Sequence, residues 1–240
     1  MEISGKKVQN GTIKVYTDGK IEFALSDEEY CAKKEKDSED VVIQSFDESE
    51  CSINVTVKQV AAGSFHTVFL MNDGTVKAVG RNSYGQLGDG TTTQRTTPVS
   101  VIGINGTVKQ ISAGYGYTVF LMEDGTVKTV GSNSYGQLGD GTKTQRTTPV
   151  SVIGLNGTVK QISAGSYHTV FLMEDETVKA VGRNSDGQSG DGTTTQRSTP
   201  VSVTGLNGTV KQILAGSYHT VFLMNDGTAK AVGRNSYGLS

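Results

Sequence analysis

The chain has 240 residues and a net charge of −2, with 35% apolar and 19% charged residues. It contains 31 glycines, which follow no three-residue period, and only 3 prolines, so a collagen-like chain and a proline-rich linker are excluded. Abundant glycine together with valine, threonine and tyrosine is typical of many short strands joined by tight turns. The composition therefore predicts an all-β fold.

The first 25 residues are predicted to form an N-terminal hairpin, either a degenerate blade or a cap. Asp18-Gly19 separates two alternating runs, and this pair favours a tight hairpin because both central turn residues need positive φ. The start of the chain lacks a secretory signal, and no apolar run reaches the ~20 residues of a membrane span. A cytoplasmic location is therefore expected.

Residues 26–56 are interpreted as an acidic connection, flexible or partly helical, in which residues 41–43 add an edge strand. The segment 26–50 holds ten acidic residues against three lysines. Cys31 and Cys51 are too few for a disulfide framework and are expected to be reduced thiols.

The remaining residues, 57–240, form an array of near-identical repeats. The triplet Val-Lys-Gln recurs every 51 residues, starting at Val57, Val108, Val159 and Val210. The units are 57–107, 108–158, 159–209 and a partial one, 210–240. A period of this length is typical of propeller blades. The array has fifteen Lys and Arg against eleven acidic residues and no dense basic stripe, which argues against a nucleic-acid surface.

Each unit is predicted to contain three or four antiparallel strands. In the first unit, Asp73-Gly74 indicates a hairpin turn, and Asn105-Gly106 indicates another tight turn that leads into the next unit. The predicted strands cover residues 57–62, 66–71, 75–79 and 99–104.

The register of the central hairpin decides which side chains share a face. A two-residue turn at Asp73-Gly74 places Phe69, Met71, Val76 and Ala78 on one side and Val68, Leu70 and Val79 on the other. Both faces are apolar, whereas a sheet with one wet face alternates apolar and polar residues. The pattern therefore predicts sheets covered on both sides by neighbours of the same kind, as in stacked blades.

The units resemble the repeats of the regulator of chromosome condensation family. The resemblance rests on Ala-Gly-Ser-Phe-His-Thr at residues 62–67, on Asp73-Gly74, and on Gly-Arg-Asn-Ser-Tyr-Gly-Gln-Leu-Gly at residues 80–88. It covers residues 57–240 and implies a β-propeller, usually of about seven blades.

Three full units and a partial one are too few to close such a ring, so an incomplete or small ring is expected. Its end blades would expose strand edges and apolar faces. Two explanations stay open: a second chain completes the ring as a homo-oligomer, or a longer parent protein carries the missing blades.

Single units depart from the family pattern. The third unit has Glu176 where the others have a turn glycine, Asp186 in place of a tyrosine and Ser189 in place of a leucine. A positive φ is costly for a residue with a Cβ, so we expect strain at Glu176. In the second unit, Tyr117 replaces the histidine of the other units.

No metal, cofactor or catalytic site is expected. His66, His168 and His219 share one position of the repeat, but Tyr117 interrupts the series, so they are interpreted as histidines that bond a neighbouring strand or loop. The Asp-Gly-Thr loops offer one carboxylate each, too few for calcium, and are interpreted as turns in which Asp bonds its own backbone. The sequence has no nucleophile elbow, phosphate loop or dinucleotide fingerprint.

Arginines and tyrosines of the rim loops are the candidate binding residues, because both types are enriched at binding hot spots. If the blades stand side by side, these loops lie together on one rim. The candidates are Arg81, Tyr84, Arg95, Tyr135, Arg146, Arg183, Arg197, Arg234 and Tyr237.

The sequence thus predicts a non-catalytic scaffold that binds a protein partner of unidentified kind. One alternative is a carbohydrate-binding or surface repeat protein, because a tyrosine at one site per blade suits sugar stacking. Another follows from the resemblance alone: the family's namesake is an exchange factor for a small GTPase that also docks on chromatin. That activity is expected to need a protruding wedge, and no unit has an insertion to build one. A recent duplicate or gene fragment without a settled function also stays open.

Overall fold

A computed structural model describes residues 56–236 and Gly238, together with the backbone of four strands between residues 12 and 44. The chain forms two units, Met1–Val55 and Thr56–Ser240. In the first unit, β1 (Thr12–Val15) pairs antiparallel with β2 (Ile21–Ala24), and β3 (Cys31–Lys34) pairs antiparallel with β4 (Val41–Gln44). The pair β3–β4 lies within the acidic segment. The predicted turn at Asp18-Gly19, the Cys31 side chain and Cys51 lie outside the described residues.

The second unit consists of four antiparallel sheets, one for each sequence repeat, in which strands adjacent in the chain are adjacent in the sheet. The first blade contains β5 (Val57–Ala62), β6 (His66–Met71), β7 (Val76–Gly80) and β8 (Arg95–Ser100). The second contains β9 (Val108–Ala113), β10 (Tyr117–Met122), β11 (Val127–Gly131) and β12 (Arg146–Ser151). The third contains β13 (Val159–Ala164), β14 (His168–Met173), β15 (Val178–Gly182) and β16 (Arg197–Ser202). The fourth contains β17 (Val210–Ala215), β18 (His219–Met224) and β19 (Ala229–Gly233). The expected all-β blades of three to four strands are confirmed, and the described part of the chain has no helix that could span a membrane.

The central hairpin differs from prediction by one residue of register. Phe69 pairs with Lys77 and Leu70 with Val76, because the turn has three residues and ends in Gly74, whose φ is +79°. A hydrogen bond from Met71 N to Thr75 O closes this turn. The predicted two-residue turn and its assignment of faces were therefore wrong.

The fourth strand begins four residues earlier than predicted. It runs along Arg95–Ser100 and includes Pro98, which is tolerated because β8 is the outer edge of its sheet and the ladder is irregular between Ala78 and Gly80. The pair Asn105-Gly106 lies where a turn into the next unit was predicted, in the link from the outermost strand of one blade to the innermost strand of the next. These two strands belong to different sheets, so the link does not close a hairpin.

Three apolar clusters hold adjacent blades together. Between the first two blades, Val68 and Leu70 pack with Ile111 and Phe120. All six residues of β10, and likewise of β14, are buried, whereas β6 has two half-buried residues and β18 has three. The two middle blades are thus covered on both sides, as the apolar faces predicted, and within residues 56–236 the first and fourth blades are each covered by one neighbouring blade.

Two polar contacts accompany each apolar cluster. Gln59 reaches across to the next blade, where its amide donates to the carbonyl of Ile111 (3.0 Å) and accepts from the N–H of the same residue (2.9 Å). His66 Nε2 hydrogen-bonds Thr118 Oγ1 at 2.9 Å. Equivalent glutamines, Gln110 and Gln161, bond Ile162 and Ile213 in the same way. The innermost strands are therefore joined edge to edge by side chains.

Candidate functional site

The long polar loop of each blade is shaped by one buried asparagine. Asn82 Nδ2 donates to Asp89 Oδ1 (3.0 Å) and to the carbonyls of Thr91 and Thr93 (both 3.1 Å), while its Oδ1 accepts from Leu87 N (3.0 Å). Asn133 and Asn184 repeat this network. The amide is fully used within the loop, so Asn82 determines loop shape and is unavailable to a ligand.

Three of the predicted binding arginines are held by an aspartate of their own loop. Arg95 lies 2.7 Å from Asp89, and the pairs Arg146–Asp140 and Arg197–Asp191 have the same separation. Asp89 Oδ1 also accepts from the N–H and hydroxyl of Thr91, as expected for a turn in which Asp bonds its own backbone.

The effect of these hydrogen bonds and ion pairs on the pKa of the aspartate is largest at Asp191. Desolvation by itself raises the pKa of this carboxyl, but hydrogen bonds from Arg197, Thr193 and Asn184 outweigh it and lower the pKa to about 2. The carboxylate therefore stays charged at ordinary pH and keeps its arginine in place. Arg95, Arg146 and Arg197 are thus each held against their own loop, and their predicted role in binding stays a prediction.

Two of the repeated histidines, His66 and His168, lie between blades. Burial lowers the pKa of His66 and of His168 to about 4, so both rings are neutral at physiological pH. Tyr117, which replaces the histidine in the second unit, donates its hydroxyl to the carbonyl of His168 (2.6 Å). The same position thus bonds the next blade with either side chain. Among the residues that the structure describes, no three His, Cys, Asp or Glu side chains converge as a metal site would require.

Six aromatic side chains from all four blades form a continuous surface with three arginines. We call the set the aromatic–arginine surface. Its members are Phe65, Tyr84, Tyr115, Tyr135, Tyr167 and Tyr218 with Arg81, Arg183 and Arg234. Phe65 and Tyr115 meet edge to face with ring centres 5.1 Å apart. Tyr167 lies 5.2 Å from both Tyr115 and Tyr135 and 6.4 Å from Tyr218.

The arginines lie over these rings. The guanidinium carbon of Arg81 is 5.3 Å from the Phe65 ring centre and 5.7 Å from that of Tyr84. Arg183 bridges two blades, at 5.9 Å from Tyr135 and 4.8 Å from Tyr218. Such cation–π contacts hold long side chains in defined positions. Seven of the nine members are half-buried, whereas Arg234 and Phe65 are exposed, Phe65 with 47% of its area accessible.

The second unit differs from the others in the sequence that contributes to this surface. Where the other units have Ser followed by an aromatic residue, it has Tyr115 followed by Gly116. A Cβ at Gly116 would lie only 2.9 Å from Cδ2 of Tyr84, so glycine leaves room for that ring. The aromatic group is retained one residue earlier, at Tyr115, and the row of rings continues.

An open depression of about 230 Å³ lies beside this row. It is lined by the equivalent residues 62–64, 113–115, 164–166 and 215–217. Its lining is otherwise Ala, Gly and Ser, and Tyr115 is shared with the aromatic–arginine surface.

The structure thus brings together five of the nine predicted binding residues: Arg81, Tyr84, Tyr135, Arg183 and Arg234. Tyr237 lies outside the described residues. Phe65, Tyr115, Tyr167 and Tyr218 also belong to this surface and were not among the predicted residues. The signal for them was an aromatic residue one or two positions before the His or Tyr that begins the second strand of each blade.

Comparisons with known proteins place the chain in a family. The family model of the RCC1-like domain matches residues 10–240. The ultraviolet-B receptor UVR8 of Arabidopsis thaliana is 31% identical over 187 residues, which are 77% of this chain and 42% of that protein. The human E3 ubiquitin-protein ligase HERC2 is 34% identical over 188 residues, 77% of this chain and 4% of that protein. The chain spans less than half the length of these relatives.

Solved structures share the fold. Human WBSCR16 superposes with a TM-score of 0.68 at 24% identity, over 74% of this chain and 47% of that one. Yeast RCC1 (Prp20), in its complex with Kap60, superposes with a TM-score of 0.67 at 22% identity, over 97% of this chain and 56% of that one. Together with the repeats and the blades, these matches show that the chain belongs to the RCC1-like domain family.

Proposed function

We propose that the repeat array is a non-catalytic protein-interaction module that binds its partner through the aromatic–arginine surface. The observation that carries the proposal is the continuous row of aromatic rings, half-buried or exposed, with guanidinium groups held over them. Tyrosine and arginine dominate binding hot spots because they offer large, rigid contact area and several hydrogen-bond donors. A solved relative with this fold binds proteins: yeast Prp20 is bound to Kap60 in one structure, and it also binds Gsp1p and histones.

The arginines indicate which groups the partner supplies. Arg183 pairs with Asp186 at 3.2 Å. Within the described residues, Arg81 and Arg234 form no ion pair, and each donates from Nε to a serine of its own loop. Their remaining N–H groups fit carboxylates of a partner. We therefore expect a partner surface that combines apolar side chains with acidic ones.

The proposal is tested by quantitative affinity capture with the full chain as bait. The variant Tyr135→Ala/Tyr167→Ala removes two touching rings of the surface. Ile153→Ala is the matched control, because Ile153 is an exposed apolar residue (48% accessible) that takes no part in the ring contacts. A true partner is retained by the control and lost from the double variant, and its affinity, measured calorimetrically, falls at least about tenfold. Equal retention by all three baits would refute the proposal.

Carbohydrate binding is the second candidate. It requires accessible ring faces, whereas Arg81 lies over Phe65 and Tyr84, and Arg183 over Tyr135 and Tyr218. These guanidinium groups cover faces that a sugar would stack on, which favours the protein partner. Glycan-array binding that disappears in Tyr84→Ala would reverse this preference. Acceleration of nucleotide release from a small GTPase would instead support exchange activity.

A further inference from the structure

Three Asn-Gly pairs of the described residues lie at one place in the repeat, in the links that join each blade to the next. Their asparagines are Asn105, Asn156 and Asn207. Each link connects the outermost strand of one blade to the innermost strand of the following blade. Both residues of every pair are exposed, so water reaches all three pairs.

An asparagine followed by glycine can react with its own backbone. The glycine nitrogen attacks Cγ of the asparagine side chain, so that a new C–N bond forms and the bond from Cγ to Nδ2 breaks. The side-chain nitrogen leaves as ammonia with the proton of the glycine N–H, and a five-membered imide remains. Glycine favours this step because it has no Cβ to hinder the approach of its nitrogen.

Both reacting groups are available in each link. The Asn105 side chain forms no hydrogen bond with a described residue, and the N–H of Gly106 has no acceptor among the described residues. The pairs that begin at Asn156 and Asn207 share both features. Attack by the glycine nitrogen therefore does not have to wait until a hydrogen bond within the described chain is broken.

The asparagines of the long polar loops are in the opposite situation. Asn133 is only 1% exposed, and its Nδ2 donates to Asp140 and to the carbonyls of Thr142 and Thr144, while its Oδ1 accepts from Leu138 N. The residue that follows it is serine. The fold thus holds the loop amides in place and leaves the link amides unbound.

We infer that Asn105, Asn156 and Asn207 are sites of spontaneous deamidation, with water as the only co-reactant. Water adds its hydroxyl to one carbonyl carbon of the imide and its other proton to the ring nitrogen, and the bond between these two atoms breaks. Opening at Cγ gives aspartate. Opening at the main-chain carbonyl carbon gives isoaspartate, whose backbone is longer by one methylene. In both cases asparagine and water become a carboxylic acid and ammonia.

Each reaction alters the chain just before a blade junction. The residue after the first pair, Thr107, accepts at its carbonyl from Glu123 N at 3.0 Å, and the next residue, Val108, is fully buried between two blades. Isoaspartate lengthens the link immediately before these fixed points, and every product adds a negative charge to the link. The modification does not involve the aromatic–arginine surface.

The test is incubation of the full chain in neutral buffer at physiological temperature, followed by peptide mapping with mass spectrometry. Peptides that contain Asn105, Asn156 or Asn207 should each gain one mass unit, and part of the product should be isoaspartate. Peptides that contain the loop asparagines should stay unchanged over the same period. Equal rates at the two sets of sites would overturn the inference.

The variant Ser134→Gly separates the effect of the fold from that of the Asn-Gly pair itself. It places a glycine after Asn133, at an exposed site whose side chain forms no hydrogen bond with a described residue, so folding is retained. Asn133 should still react at least about tenfold more slowly than Asn156, because its amide must first be released from its hydrogen bonds. In denaturant the two asparagines should react at similar rates. Rapid reaction of Asn133 in the folded variant, or slow reaction in the denatured one, would also overturn the inference.

Discussion

The guanidinium carbon of Arg183 lies 4.8 Å from the ring centre of Tyr218, across the boundary between the third and fourth blades. The contact joins a loop of one blade to the start of the second strand in the next. A double-mutant cycle with Arg183→Met and Tyr218→Leu should give a coupling free energy of about 0.5–1 kcal/mol in chemical unfolding. The second blade has Ser132 at the arginine position, so Ser132→Met with Tyr218→Leu is the matched cycle and should show no coupling. Equal coupling in both cycles would contradict a cation–π contact.

Ser189 is expected to lower the stability of the third blade. Leu87 and Leu138 fill the equivalent position in the first two junctions, whereas Ser189 is fully buried and its hydroxyl has no hydrogen-bond partner. Ser189→Leu should raise the free energy of unfolding by about 2 kcal/mol, because it removes an unsatisfied polar group and adds apolar burial. This corresponds to a rise in Tm of about 4–8 °C. Ser185→Leu, at an exposed neighbouring site, should change little, and a lower Tm for Ser189→Leu would show that the site is too small.

Glu176 is expected to carry backbone strain. Its φ is +64°, in a turn where Gly74, Gly125 and Gly227 have φ between +78° and +86°. Glu176→Gly should therefore stabilise the chain by about 1 kcal/mol in chemical unfolding. The reciprocal change Gly125→Glu should destabilise it by a similar amount. If both variants unfold like the parent chain, the turn tolerates a side chain without strain.

The buried histidines predict a pH dependence of stability. His66 and His168 have a folded pKa of about 4 against 6.5 when unfolded, so the unfolded chain takes up protons first as the pH falls. The free energy of unfolding should thus decrease between pH 6.5 and pH 4, by on the order of 1 kcal/mol per pH unit for each histidine. Their replacement by tyrosine, which Tyr117 shows to be compatible with the position, should flatten this slope. Each single replacement should remove about half of the slope; a steep slope in the double variant would exclude the two histidines as its cause.

The features that depend on period and alternation could be predicted from the sequence. Repeat limits, the first three strands of each blade and the two apolar faces all follow from residues that recur every 51 positions. The register at Asp73-Gly74 could not be predicted, because Asp-Gly occurs in two-residue turns and also in three-residue turns that end in glycine. The error of one residue placed the side chains of the third strand on the wrong faces of the sheet. Both faces are still largely apolar, so the prediction of stacked blades did not depend on the register.

The candidate site was predictable only in part. Arg81 and Tyr84 belong to a distinctive loop and could be selected from it. Tyr115 and Tyr167 recur at one place in the repeat, but their ring contact arises only because adjacent blades bring residues about 50 positions apart together. The equally regular Arg95 proved to be engaged by Asp89 of its own loop. Recurrence alone therefore does not show whether an arginine is engaged within its own loop or lies against the rings of the aromatic–arginine surface.

The glutamine bridges between innermost strands have a consequence for how such a chain changes over generations. Gln59, Gln110 and Gln161 each bond the residue 52 positions ahead, with the same atoms. Unequal recombination that deletes or adds one whole repeat would recreate the same bridge at the new boundary, since donor and acceptor are copied together. The length of the protein can therefore vary in steps of one blade without the loss of any internal junction.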